Sequence, residues 1–151
     1  MALLLLCNCN MERNLRDLKT VQTQVHPFCM VCSGSNPNGL ALSMDCFDGN
    51  ILSASFCSNP TFEGYQGRLH GGMTASLLDG VMTNRLFVQG IAAVTAELSV
   101  RYVEPIAIGP RINLRAWLEK RHPPLFVLQA RLEQEGRLKA AATGKFMQQA
   151  F

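Results

Sequence analysis

The chain has 151 residues, a length typical of one domain with its own hydrophobic core. Apolar residues make up 48% and charged residues 17% of the sequence, which is typical of a globular protein and excludes a disordered chain. The net charge of +3 is too weak to indicate nucleic-acid binding, and no apolar run reaches the roughly 18 residues of a membrane span.

The first predicted element is a short amphipathic helix over residues 12–22. The preceding stretch MALLLLCNCN looks superficially like an export signal, but it has no basic region before its short apolar run and no small-residue cleavage site after it. An alternative is that Met11 is the natural start. Because no export signal is indicated, the six cysteines are interpreted as thiols and the location as cytoplasmic.

A loop and a pair of strands follow. Residues 26–40 carry Pro, Asn, Gly and Ser at turn positions, which indicates a loop. The hydrophobic period then changes to two, which predicts strands over 39–47 and 51–57 with a turn between them. Residues 58–69 contain two glycines and a proline and are predicted to form an irregular loop.

The segment 71–88 is predicted to be a buried helix, because apolar residues populate most of its circumference. After this helix the period returns to two in four segments that are separated by turns. The four predicted strands cover 95–102, 111–119, 125–133 and 137–147. Short connections between consecutive strands indicate antiparallel pairing, so we expect an α+β fold with an antiparallel sheet wrapped round one long buried helix.

Three stretches together carry a family resemblance. They are YQGRLHGGMTASLLDG at 65–80, TAELSVRYVEP at 95–105 and CMVCSGSNPNGLAL at 29–42. The combination resembles the hotdog-fold acyl-CoA thioesterases of the 4-hydroxybenzoyl-CoA and phenylacetate-pathway type. The resemblance spans about residues 26–148, so we expect a single hotdog domain over 26–151 that follows an N-terminal extension with a short helix over 1–25.

The start of the predicted helix is the candidate oxyanion site. Hydrolysis of a thioester requires a hydrogen-bond donor for the carbonyl oxygen as it becomes an oxyanion. The first turn of a helix offers unpaired N–H groups and a positive dipole end. The resemblance places the donor at Gly71, with Gly72 as an alternative, although close helix–sheet packing would also explain both glycines. His70 could help place the carbonyl or could cap the helix.

Asp79 is the candidate general base or nucleophile, because an unpaired carboxylate in an apolar helix is costly. The alternative is a structural carboxylate that is bonded to a neighbouring subunit. Thr95 matches a hydroxyl position that helps to hold the water in relatives, although a strand-edge Thr would need no such role. Glu97, expected on the same strand face as Thr95, is a second candidate acid.

Residues that bind the rest of the substrate are harder to assign. Some relatives carry an Asn six residues before the histidine of HGG, where it helps to arrange the thioester; here Gly64 occupies that position and Gln66 is a nearby substitute. Coenzyme A carries phosphates, so cations are expected at the mouth of the pocket. The candidates are Arg121, Arg137 and Lys139, although solvated surface charge would explain each of them.

The sequence from residue 26 has the spacing H-x-x-C-x-x-C, formed by His26, Cys29 and Cys32, and Cys46 could be a fourth ligand for structural zinc. However, Cys46 falls on the apolar face of a predicted strand, and only one C-x-x-C is present. A loop packed with small thiols is therefore favoured, and no metal is predicted.

The resulting prediction is an acyl-CoA thioesterase that needs no cofactor, since coenzyme A is part of the substrate. It should act as a homodimer or homotetramer, with neither a membrane nor nucleic acid as a partner. A non-catalytic acyl-CoA-binding protein is the alternative from another class, and a dehydratase is a weaker third. The resemblance also implies that Gly71 and Asp79 from different chains face one substrate.

Overall fold

The computed structural model describes residues 15–151, which form two α-helices and six strands. Helix α1 covers residues 15–25 and α2 covers Gly71–Phe87. The strands are β1 (Ser43–Asp48), β2 (Ile51–Phe56), β3 (Ala93–Tyr102), β4 (Ile112–His122), β5 (Leu125–Gln134) and β6 (Arg137–Gln148). A short 3-10 turn, Pro60–Phe62, lies in the loop before α2. Neither helix of the described chain has the length and hydropathy required to cross a bilayer.

Several sequence-based predictions concern residues 1–14, outside the described part of the chain. These are the interpretation of MALLLLCNCN, the alternative start at Met11, the state of Cys7 and Cys9, and the beginning of the predicted N-terminal helix. Within the described residues that helix continues to residue 25, three residues beyond the predicted end at 22.

The six strands form one antiparallel sheet in the order β1-β2-β4-β5-β6-β3. Helix α2 packs against this sheet and contacts β2, β3, β4, β5 and β6. The predicted α+β hotdog architecture is therefore confirmed. The helix is buried on nearly all sides, as its apolar circumference predicts. Its fully buried apolar side chains are Leu77, Leu78, Val81, Met82 and Leu86.

The first strand begins later than predicted. Leu40 and Leu42 donate their N–H groups to the carbonyls of Met30 (2.7 Å) and Val31 (2.9 Å) in the preceding loop. Their side chains are buried in the core, so they show the same period of two as a strand while pairing outside the sheet. The predicted strand over 39–47 is consequently shortened to Ser43–Asp48.

Strand β3 forms one edge of the sheet, and its far side pairs with no other strand of the described chain. Seven of its ten residues are exposed, among them the apolar side chains of Val94 and Tyr102. A long exposed edge offers a row of unpaired backbone groups to another strand. This edge is therefore a place where a second chain could extend the sheet.

Candidate active site

The start of α2 has one free backbone donor. Nδ1 of His70 accepts a hydrogen bond from the N–H of Gly72 at 2.9 Å, and the carbonyl of His70 accepts from Met73 and Thr74. The N–H of Gly71 has no hydrogen-bond partner among residues 15–151, and Gly71 is exposed. Of the two glycines proposed as oxyanion donors, the geometry favours Gly71. His70 caps the helix, which is one of the two roles predicted for it.

An open cleft of about 280 Å³ lies beside Gly71. Its lining residues are Leu69, Gly71, Thr74, Tyr102, Val103, Glu104, Pro105 and Ile106. The hydroxyl of Tyr102 donates a hydrogen bond to the carbonyl of Gly71 at 2.9 Å, which ties the end of β3 to the start of α2. The free N–H of Gly71 therefore lies at a cleft large enough to accept part of a ligand.

Asp79 lies two turns further along α2 and is half-buried. Its Oδ1 accepts a hydrogen bond from Oγ1 of Thr95 in β3 at 2.7 Å. Burial is the dominant effect on this carboxyl and raises its pKa, while the Thr95 hydrogen bond and the nearby His26 act in the opposite direction. A carboxylate whose proton affinity is increased in this way is a better general base than an exposed one.

A bulge in β3 turns Thr95 and Glu97 to opposite faces of the sheet. Thr95 is paired with Phe146, which is fully buried, whereas Glu97 is paired with the exposed Lys145 and forms an ion pair with it at 2.8 Å. Directly opposed residues share a face, so Thr95 points to α2 and Glu97 points outward. The prediction that they share a face is wrong, because simple alternation does not anticipate the extra residue of a bulge.

The predicted cations do not form one cluster. Nη2 of Arg137 and Nζ of Lys139 both contact the carboxylate of Glu104, at 2.5 and 2.8 Å. Since Glu104 lines the cleft at Gly71, this pair lies at the α2 start. Arg121 lies at the opposite end of the strands, next to the β4–β5 turn, with its guanidinium 5.9 Å from the centre of the Phe126 ring.

The loop before α2 holds the remaining predicted position. Gln66 is exposed there, and no hydrogen bond of its side chain is among those of the described residues. A Cβ atom at Gly64 would lie 3.2 Å from the Cα and Cδ2 atoms of His70. A side chain at position 64 would therefore press on the residue that caps α2, and the glycine lets the loop close tightly over it.

Sequence reasoning missed the two residues that join β3 to the cleft, Tyr102 and Glu104. Both residues lie in the stretch TAELSVRYVEP, which carries part of the resemblance, but the sequence predicts no role for either of them. Their partners, Gly71 and Lys139, lie 31 and 35 residues away along the chain. The hydroxyl of Tyr102 on an otherwise apolar strand face indicates that this side chain needs a hydrogen-bond partner, but which partner it finds depends on the tertiary fold.

Gly71 and Asp79 of one chain are too far apart to act on one thioester. They are separated by eight residues of helix, which corresponds to about 12 Å at 1.5 Å per residue. An oxyanion donor must lie about 3 Å from the carbonyl oxygen, and the base must be within hydrogen-bond reach of the attacking group. We call these two separated groups half-sites: the Gly71 N–H with Tyr102, and Asp79 with Thr95.

The burial that raises the pKa of Asp79 should also lower the stability of the folded chain at neutral pH. At neutral pH the folded chain must hold a partly desolvated carboxylate, so we expect Asp79→Asn to increase the free energy of unfolding. Because the folded-state pKa lies above the unfolded one, the wild-type penalty shrinks as the pH falls through that pKa and is gone below the unfolded value. Urea denaturation at neutral and acidic pH measures the difference.

The matched control for this prediction is Glu97→Gln. Glu97 is an exposed acid on the same strand as Thr95, and its surface ion pair contributes little to stability. A lower stability of Asp79→Asn at neutral pH would contradict the assignment of a desolvated carboxylate.

Residues 66–141, half of the chain, match the Thioesterase superfamily model. Acyl-coenzyme A thioesterase 13 of Mus musculus is 31% identical over 81 residues, which is 52% of this chain and 58% of that protein. The chain thus matches under two thirds of the length of this curated relative.

Solved structures share the fold. A thioesterase superfamily protein, RHA08564, superimposes with a TM-score of 0.75 at 21% identity, over 80% of this chain and 63% of that chain. A Streptococcus mutans UA159 protein, solved bound to acetyl CoA, gives a TM-score of 0.68 at 18% identity, over 72% of this chain and 89% of its own. Together with the fold, the sequence match shows that the chain is a member of the thioesterase superfamily.

Proposed function

We propose that the protein hydrolyses acyl-CoA thioesters to a free acid and coenzyme A. The observation that carries this proposal is the pairing of a half-buried helix carboxylate, Asp79, with the hydroxyl of Thr95, on a helix whose first N–H is free. Membership of the thioesterase superfamily and the similarity to an acyl-coenzyme A thioesterase support it.

The reaction follows from the roles of these groups. The thioester oxygen accepts a hydrogen bond from the Gly71 N–H, where the helix dipole favours negative charge. Asp79 takes a proton from water, and the resulting hydroxide adds to the carbonyl carbon; in the alternative, Asp79 itself adds and water later releases the acyl group. The C–S bond then breaks, and the thiolate of coenzyme A leaves and takes up a proton. No separate cofactor takes part in this reaction.

The two half-sites would meet in a homodimer. Antiparallel pairing of two β3 edges about a two-fold axis at Ser99 would set Thr95 opposite the partner's Tyr102, because the bulge between Thr95 and Glu97 adds one residue to this half of the strand. Thr95 binds Asp79 and Tyr102 binds Gly71, so this pairing would bring unlike half-sites together at two places. It would also cover the exposed β3 edge, and a dimer of such dimers is compatible with it.

Hydrolysis is tested with a panel of aryl- and fatty-acyl-CoAs by following the release of free thiol. We expect turnover of at least one member by the purified, folded chain. Absence of hydrolysis with every member would contradict the proposal. Calorimetric binding of a thioester that is then recovered intact would instead support the acyl-CoA-binding alternative, which Gly64 favours because it replaces an Asn that helps to arrange the thioester in some relatives.

The two cations at the cleft, Arg137 and Lys139, are expected to contribute to substrate binding. If Arg137 and Lys139 bind a phosphate of coenzyme A, Arg137→Ala and Lys139→Ala should each raise KM by about tenfold, the effect of losing one charge-assisted hydrogen bond, with little change in kcat. The measurement is steady-state hydrolysis with an acyl-CoA and with its 3′-dephospho analogue. If Arg137 and Lys139 bind the 3′-phosphate, the KM values of the variants and the wild type should differ less with the analogue, which lacks this phosphate.

Arg115→Ala is the matched control for these variants, because Arg115 is an exposed cation near Trp117, away from the cleft at Gly71. An unchanged KM in both Arg137→Ala and Lys139→Ala would remove the two residues from the substrate site and leave their contacts to Glu104 as a purely structural feature.

A further inference from the structure

The loop between α1 and β1 gathers three metal-binding side chains, and we propose that His26, Cys29 and Cys32 bind a zinc-type divalent ion. One ligand atom of each residue lies within 4.8 Å of the other two. Nδ1 of His26 and Sγ of Cys32 are 3.9 Å apart. None of the three residues is among the groups assigned to thioester hydrolysis, although His26 lies near Asp79, and the proposal does not depend on that activity.

The distances are close to those of a metal site. In tetrahedral zinc coordination with Zn–S of about 2.3 Å and Zn–N of about 2.0 Å, a sulfur and a nitrogen ligand lie about 3.5 Å apart and two sulfurs about 3.8 Å apart. Nδ1 of His26 and Sγ of Cys32 are within about 0.5 Å of this separation, and no two ligand atoms of the cluster are more than 4.8 Å apart, so side-chain rotations would complete the arrangement. The sequence favours a loop of packed thiols, but these distances favour a metal.

The backbone around the cysteines supports coordination. The N–H of Val31 donates to Sγ of Cys29 at 3.4 Å, and the N–H of Ser33 donates to the carbonyl of Cys29 at 3.1 Å. This compact turn holds the two sulfurs of C-x-x-C on the same side. An N–H donor on a thiolate also helps to stabilise its negative charge, as outer-shell donors do in metal sites.

The surroundings hold the cluster against α2. The ring of His26 lies edge-on to Phe87, with ring centroids 5.0 Å apart. Nε2 of Gln22 donates to the carbonyl of Cys32 at 3.3 Å and to Oδ1 of Asn84 at 3.1 Å. The cluster is thus fixed between α1 and the helix that carries Asp79, and an ion bound there would clamp these elements together.

The ligand types select the metal. Two thiolates and an imidazole suit zinc and disfavour magnesium or calcium, which prefer oxygen ligands. The charge of a divalent ion would balance two thiolates, one of which, on Cys32, is buried. Three protein ligands leave one tetrahedral position, which water or a further donor can fill.

The test uses the full chain, purified under reducing conditions without chelator. Zinc is counted by elemental mass spectrometry, and the chelator-treated protein is then titrated with Co(II). We expect about one zinc per chain and, with cobalt, a thiolate charge-transfer band together with the intense visible bands of tetrahedral coordination. Cys29→Ser and Cys32→Ser should each weaken Co(II) binding by at least about 100-fold, more than the loss of an outer-shell partner usually costs.

Two controls restrict the result to this cluster. Cys57→Ser removes an exposed thiol outside it and should leave the spectrum unchanged. The Cys7→Ser/Cys9→Ser variant removes the two thiols in residues 1–14 and should also keep one ion per chain.

Several outcomes would overturn the proposal. One is a reduced wild-type chain that takes up neither zinc nor Co(II), including the case in which Cys29 and Cys32 form a disulfide in air and still take up no metal after reduction. Another is full binding by the Cys29→Ser/Cys32→Ser double variant, or loss of binding in either control. If a cysteine variant fails to fold, the wild-type and control titrations still decide.

Discussion

Asp79→Asn will lower kcat for acyl-CoA hydrolysis by at least about 100-fold, the low end of what general acid–base catalysis contributes. The substitution preserves the size of the side chain and an oxygen that can accept the Thr95 hydrogen bond, so the helix should keep its packing. It removes the group that we propose takes the proton from water or attacks the carbonyl carbon. Because only the transition state uses this group, KM should change far less than kcat.

The kinetic control is Glu97→Gln, since the β3 bulge turns Glu97 away from α2 and into an ion pair with Lys145. Its kcat should stay close to that of the wild type. Near-full activity of Asp79→Asn, or an equal loss in Glu97→Gln, would move the acid role away from Asp79. Circular dichroism of both variants separates a loss of chemistry from a loss of fold.

The fold was predictable because two simple periods dominate the sequence. Apolar residues with a period of two gave the strands after α2 to within a few residues, and an apolar circumference gave the buried helix. The main error concerned Leu40 and Leu42, which are buried by pairing with the loop at Met30 and Val31 rather than within a strand. Burial and strand pairing produce the same alternation, so the sequence could not separate them.

Parts of the candidate site depended on contacts that no local pattern encodes. The sequence identified Asp79 as an acid without an evident partner, but its hydrogen bond to Thr95 joins residues 16 positions apart. The resemblance also places the oxyanion donor at Gly71 and keeps Gly72 as an alternative. The structure favours Gly71, because Nδ1 of His70 already accepts the hydrogen bond that the N–H of Gly72 donates. Each of these facts requires the relative placement of two elements.

The separation of the two half-sites has the largest functional consequence. Helix geometry keeps Gly71 about 12 Å from Asp79 in any single chain. The contacts of β3 explain how a second chain could solve this, because Thr95 and Tyr102 sit near opposite ends of the exposed edge and each touches one half-site. The proposed dependence on a partner thus rests on the strand register as well as on the helix.

Subunit mixing will restore activity to two inactive variants, Gly71→Pro and Asp79→Asn. Gly71→Pro removes the free N–H, and the fold should tolerate it: Gly71 is the first helical residue, and His70 has the extended backbone (φ −61°, ψ 137°) that proline requires before it. Gly71→Ala is the matched control. It keeps the N–H, and its Cβ would lie 3.6 Å from the Tyr102 ring, an ordinary contact, so it should stay active.

When the two inactive variants are refolded together in equal amounts, random pairing makes about half of the dimers mixed. One site of each mixed dimer combines Pro at position 71 with Asn at position 79, whereas the other combines the intact Gly71 N–H with an intact Asp79. About a quarter of all sites should therefore work, far above the activity of either variant alone. Activity that stays at the level of the single variants, with mixed dimers confirmed by native mass spectrometry, would contradict a site shared between chains. In a shared site the Asp79→Asn chain would supply the Gly71 N–H and the Gly71→Pro chain would supply Asp79, so two variants that are inactive alone would form one complete site together.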